Sequence, residues 1–135
     1  MNVLETEWWT LGLPPEWWAE QEDDVIVIGD RDDVGALEIS TLHKEEGEFA
    51  GEEVLALARE NGEPGWDWQA CSAGAFEGFS TGFREEDAAV REWYLATGPV
   101  LLFVTYSCDL ENAGLDDAAV DEILATLASL APQVS

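Results

Sequence analysis

Hydrophobic and polar positions alternate along much of this chain, and the alternation predicts a series of β-strands interrupted by one helix and closed by another. Trp8 to Leu13 reads as a first strand, stopped by Pro14-Pro15, which lack the amide donors a ladder needs. Glu16 to Asp24 holds Trp17 and Trp18 in a polar run and reads as a loop or short helical turn. Val25-Ile26-Val27-Ile28 is a β-branched run ending at Gly29, the pattern of a buried strand. A turn over Asp30 to Gly35 follows. In Ala36 to Leu42, Leu37 and Ile39 alternate with Glu38 and Ser40, so one face of that strand is better buried.

Gly51 to Glu60 has helical spacing, with Val54, Leu57 and Ala58 on one face. Glu52 and Glu53 in its first turn and Arg59 in its last suit the helix dipole, and Asn61-Gly62 supplies a stop. Trp66 to Ala73 and Phe76 to Phe83 read as strands around Gly74. Val90 to Thr97 and Val100 to Cys108 are two more, joined at Gly98-Pro99. Val100-Leu101-Leu102-Phe103-Val104 is apolar at every position, which marks a central strand covered on both faces. Finally, Val120, Ile123, Leu124 and Leu127 keep helical spacing, Asp116 is placed as the cap, Leu115 and Val120 as a staple across it, and Pro132 ends the helix. Hairpin-like connections make this a single α+β domain over 1–135, with a mainly antiparallel central sheet of about six or seven strands flanked by two main helices.

Several of these segments resemble the PsbP/Mog1-like superfamily. Leu13-Pro14-Pro15-Glu16-Trp17 resembles its hydrophobic–Pro–x–x–Trp opening, and Gly35 to Ser40 its second hairpin. Arg91-Glu92-Trp93-Tyr94-Leu95 with Leu102-Phe103-Val104-Thr105-Tyr106 resembles its long central hairpin, and Ile123-Leu124-Ala125-Thr126-Leu127 its C-terminal helix. The resemblance implies an α/β/α sandwich and a non-enzymatic role, as accessory subunit, adaptor or chaperone of secretion effectors in bacteria. It brings no shared catalytic residues.

Charge changes the picture more than composition does. At 47% hydrophobic, with 7 Trp, 5 Phe and 2 Tyr, the 135 residues have ample material for a core. Against that stand 30 Asp and Glu and only 5 Lys and Arg, a formal net charge of -25. Such a surface disfavours nucleic acid, whose phosphates require clustered cations, and the anionic cytoplasmic leaflet of a membrane. No secretory leader pattern occupies Met1 to Glu7, and no apolar run approaches the roughly 20 residues of a membrane helix, so a cytoplasmic protein is expected.

The candidate chemistry is sparse. Asp30-Arg31-Asp32-Asp33 resembles the start of a calcium loop, but Val34 stands where an oxygen ligand belongs at the fifth position and Thr41 where the twelfth needs Glu, so an acidic turn is the better reading. His43 is the single histidine, beside Lys44, Glu45 and Glu46, and reads as a solvated surface residue rather than a base or ligand. Cys71 and Cys108 show no CxxC spacing; they are free thiols of a reducing compartment or a disulfide between neighbouring strands. Gly74, Gly78 and Gly82 lie in a strand pattern and mark a close approach of another layer, not a phosphate loop. Catalytic residues, a metal and a cofactor are therefore not expected.

The Trp8-Trp9 and Trp17-Trp18 pairs can be core throughout, or can each leave one ring at the surface as a binding anchor. The acidic clusters can be solvated skin or a docking surface for a cationic partner. The leading expectation is an acidic module that binds a basic protein, as adaptor, effector chaperone or immunity-type protein. The residues expected to carry it are Trp8, Trp18, Asp30, Asp32, Asp33, Glu45, Glu46, Glu85, Glu86 and Asp87. A carboxylate-dependent hydrolase acting on carbohydrate is the alternative from another class, and a structural accessory subunit the third. Oligomeric state is open.

Overall fold

Ten strands and two helices make up a computed structural model that describes residues 2–32, 34–63 and 65–130. The strands are β1 (Asn2–Glu5), β2 (Trp9–Leu13), β3 (Trp17–Glu22), β4 (Val25–Asp30), β5 (Gly35–His43), β6 (Gln69–Ala73), β7 (Phe76–Arg84), β8 (Ala88–Thr97), β9 (Val100–Asp109) and β10 (Ala128–Ser129). Helix α1 (Gly51–Asn61) lies between β5 and β6, and α2 (Asp117–Leu124) between β9 and β10. Seven strands form one sheet in the order β3-β4-β5-β9-β8-β7-β6, and β1-β2-β10 form a second. All described pairings are antiparallel. The molecule is thus α+β with mainly antiparallel sheets.

β9 shows why the sheet needs cover on both sides. Its alternate residues Val100, Leu102, Val104 and Tyr106 join the larger apolar cluster, with Trp9 and Leu11 of β2 and Val120, Ile123 and Leu124 of α2. The intervening Leu101 joins a smaller cluster with Val54 and Ala58 of α1 and with Tyr94. An all-apolar strand at the middle of the sheet follows from that two-sided burial.

Three expectations are corrected. Glu16 to Asp24 is not a loop or helical turn: Trp17 to Glu22 form β3, with Trp17 and Ala19 toward the larger cluster. The hairpin turns on Asp23-Asp24, Asp23 adopting φ 52, which an aspartate tolerates better than most residues. The polar outer residues Glu20 and Glu22 disguised the alternation. Second, α2 ends at Leu124, although Leu127 keeps its expected burial from the following turn. There Thr126 Oγ1 accepts from Gly12 N at 2.7 Å and donates to Ile123 O at 2.6 Å, tying the helix end to β2. Pro132 lies outside the described residues. Third, Leu115 is 67% exposed and forms no staple, while Asp116 makes no side-chain cap. Its buried carboxylate instead accepts the Tyr106 hydroxyl at 2.6 Å. Trp66 to Trp68, expected within the strand, precede β6 as non-strand chain, Trp66 stacking on Phe83 at 4.2 Å. β1 and β10 had no periodic signal, because each is a short partner of β2.

Of the three glycines, Gly74 meets the expected approach of another layer: at φ 60 a Cβ there would overlap the carbonyl of Leu127 from the turn after α2, whereas Gly78 is crowded by its own neighbouring strand. A Cβ on Gly78 would overlap the carbonyl of Tyr94 on β8, whereas one on Gly82 would meet only ordinary contacts. Cys71 is half-buried, Cys108 is buried, and both are free thiols.

Candidate functional site

The strand register places a row of carboxylates across one face of the large sheet. Glu20 pairs with Val27, Val27 with Glu38, Glu38 with Thr105, Thr105 with Glu92, and Glu92 with Thr81. Directly paired residues point to the same side of a sheet, so Glu20, Glu38 and Glu92 share this face. Each is separated from the next by one intervening strand, about 10 Å at the usual spacing. Among the described residues none of the three has an ion-pair partner.

This is the face that carries α1, which packs mainly on β7 and β8 and whose Val54 and Ala58 also cluster with Leu101 of β9. Over β3, β4 and β5 the same face has no helix among the described residues, and Val25 and Val27 belong to neither apolar cluster. Leu42 on β5 is 55% exposed and Trp18 on β3 is 42% exposed. Between the flank of α1 and the bare strands runs an open groove of about 560 Å³, lined by Leu57 and Asn61 of α1 and by Leu42, Phe103, Tyr94 and Glu92 of the sheet.

The electrostatics of the groove are one-signed. Burial, and secondly the charge of Glu85, hold the Glu92 carboxyl above the ordinary carboxylate range. Burial first, then Glu92, push the Tyr94 phenol up, against a lowering hydrogen bond with Asn61. Lys44 is committed elsewhere: its Nζ lies 2.7 Å from Glu53 Oε1, a hydrogen bond that lowers the Glu53 pKa. The arrangement offers an apolar floor with the Glu92 carboxylate in its lining and Glu38 further along the same row, which suits an apolar surface bearing cations.

The residues singled out from sequence fall into two groups at opposite ends of the sheet. Trp18 lies over Gly29 and donates its Nε1–H to Asp30 O at 3.2 Å. Asp30 is itself buried, its Oδ1 accepting from Val34 N at 3.3 Å, so its carboxylate serves the turn; Asp32 is exposed beside it. Asp33 lies outside the described residues. Glu85, Glu86 and Asp87 form the exposed β7–β8 turn at the same end, because Ala88 pairs with Asp109 and Gly35 with Cys108. Trp8 is at the other end, half-buried and stacked on the exposed His43 ring at 3.8 Å, with Glu45 and Glu46 following in the chain. Trp9 and Trp17, their sequence neighbours, are core, and the Trp9 Nε1–H donates to Thr41 Oγ1 at 2.9 Å. The nine of these residues that are described therefore form no single surface. The row that does exist, Glu20, Glu38 and Glu92, was visible only as outward positions of separate strands; pairing register joins them.

On the opposite face a smaller cavity, about 310 Å³, lies beside Tyr106, Cys108, Arg84 and Arg91. Arg91 is already engaged there, 2.8 Å from Asp121 and 3.5 Å from Asp117, with its guanidinium over Trp93. Burial, then the bond to Asp116, push the Tyr106 phenol far up. Among the described residues no group of three His, Cys, Asp or Glu side chains is arranged to hold a metal, and no helix is long and apolar enough to cross a membrane.

No protein-family model matches the chain, and no curated protein matches it in sequence. Similar solved structures include a protein of Bacteroides thetaiotaomicron, at 18% identity and a TM-score of 0.67 over 92% of this chain and 46% of that one. Another is LpqN, involved in cell envelope biogenesis of Mycobacterium tuberculosis, at 16% identity and a TM-score of 0.59 over 90% of this chain and 82% of that one. This chain spans just under half the length of the Bacteroides protein. At these identities the likeness is one of fold.

Proposed function

We propose that this protein is a non-enzymatic binding module of PsbP/Mog1-like α/β/α type, which recognises a basic protein partner as an adaptor, effector chaperone or immunity-type protein. One observation carries the proposal: the half-covered sheet face with its unpaired row of Glu20, Glu38 and Glu92 beside exposed Leu42 and Trp18. A carboxylate left unpaired on a face with apolar neighbours is poorly placed for stability and well placed for a cationic surface that desolvates it on contact. The net charge of -25 steers such a partner from a distance and discourages a second copy of the same chain from the same site. A cytoplasmic setting fits the free thiols of Cys71 and Cys108.

The experiment compares two variants of equal net charge as bait in host extract at low salt. One combines Glu20→Gln, Glu38→Gln and Glu92→Gln. The other combines Glu5→Gln, Glu111→Gln and Glu122→Gln, at exposed positions away from the row. A basic protein kept by the wild type and by the second variant but lost by the first is the expected result. Equal retention by both variants, or no basic protein retained by the wild type, overturns the proposal.

A further inference from the structure

A helix is about 10 Å across, and packed helices lie about 8–10 Å apart, which is close to two strand spacings. α1 rests mainly on β8 and β7, the fifth and sixth strands of the large sheet, and its Val54 and Ala58 also cover Leu101 of β9, the fourth. A second helix beside it would therefore lie over β5, the third strand, and the part of β9 around Phe103. That strip is where Phe103 and Leu42 form an apolar floor and where the groove runs along α1, with Leu57 and Asn61 as its wall. Glu92 on β8 lines the groove, and Glu38 on β5 lies on the same row two strands away, about 10 Å from it.

We infer that this strip is the seat of an amphipathic helix supplied by the partner, its apolar stripe on Leu42 and Phe103 and its Lys or Arg residues on either flank reaching Glu38 and Glu92. The inference rests on the basic-partner reading and specifies it further. Charge complementarity selects the occupant: a second copy of this chain would bring carboxylates to carboxylates, and an apolar segment without cations would bury Glu38 and Glu92 unpaired. Shape selects a helix over an extended segment, because the groove is bounded by α1 on one side and opens over the uncovered strands on the other. Docking would complete the layer that α1 begins on this face, in the manner of helix-in-groove recognition.

The test titrates the isotopically labelled full chain with two synthetic peptides of about 18 residues, long enough to form a helix. One places Leu at i, i+3, i+4 and i+7 with Lys on both flanks, and the other has the same composition scrambled. The amphipathic peptide is expected to bind at least tenfold more tightly at moderate salt, to gain helicity, and to shift resonances along β5, β9 and the Leu57–Asn61 flank. Leu42→Asp, at a solvent-exposed position, should abolish that preference while leaving the weak binding of the scrambled peptide. Equal binding of both peptides, or shifts confined to the loop ends or the α2 side, overturns the helix seat while leaving a cationic partner in place. Binding of neither peptide overturns the seat and the basic-partner reading together.

Discussion

Glu92 holds its proton more tightly in the folded protein than in the unfolded chain, because burial and the charge of Glu85 both disfavour its carboxylate. The stability consequence has a definite sign. With the folded pKa raised above the ordinary 4.5, stability is fully present below that value and falls as pH rises from there through the folded pKa. Glu92→Gln removes the charge and keeps the shape. It should melt above the wild type near neutral pH, with the gap closing once pH falls below about 4.5, as urea midpoints across that range will show. A gap unchanged with pH would mean that Gln acts through packing instead. Little of this was legible beforehand, since Glu92 sits in an ordinary alternating strand and its burial depends on α1 from elsewhere in the chain. Asp116 teaches the same lesson in reverse. Its position before a helix suggested a cap, yet the buried Tyr106 hydroxyl captures its carboxylate.

At the level of elements, periodicity located most of the strands, and failed where polarity masked it. β4, β5, β7, β8 and β9 were legible because each buries at least one face, so alternation or continuous apolar character survives in the residue string. β3 was not, since an edge strand can leave Glu20, Gln21 and Glu22 exposed on both faces and still pair fully with β4. The Gly78 and Gly82 pair lends itself to a direct check. Gly78→Ala forces a methyl against the Tyr94 carbonyl and should destabilise by about 2 kcal/mol or more, while Gly82→Ala should stay within about 0.5 kcal/mol. Denaturant midpoints of the two single variants are the measurement, and similar losses for both would refute close approach as the reason for the first glycine.

The whole molecule carries its charge as a shell around two apolar clusters that lie on opposite faces of one sheet. Self-repulsion in such a shell opposes compactness, and salt relieves it over the shortening screening length. The melting temperature should therefore rise by several degrees between low and moderate sodium chloride, followed by circular dichroism; a flat response would show the repulsion to be energetically idle. The acidity and the α+β class were both readable from the residue string. The carboxylate row was not. Glu20, Glu38 and Glu92 come from β3, β5 and β8, and only the antiparallel register, fixed by strands distant in the chain, sets them in one row.

The small sheet has an implication for biosynthesis. Trp9, the largest fully buried side chain, sits on a strand whose second edge is closed by Ser129 and Ala128, and Leu130 N then donates to Trp8 O at 2.9 Å. A nascent chain still attached to the ribosome must hold that strand open, apolar and available to chaperones until almost the last described residue has emerged.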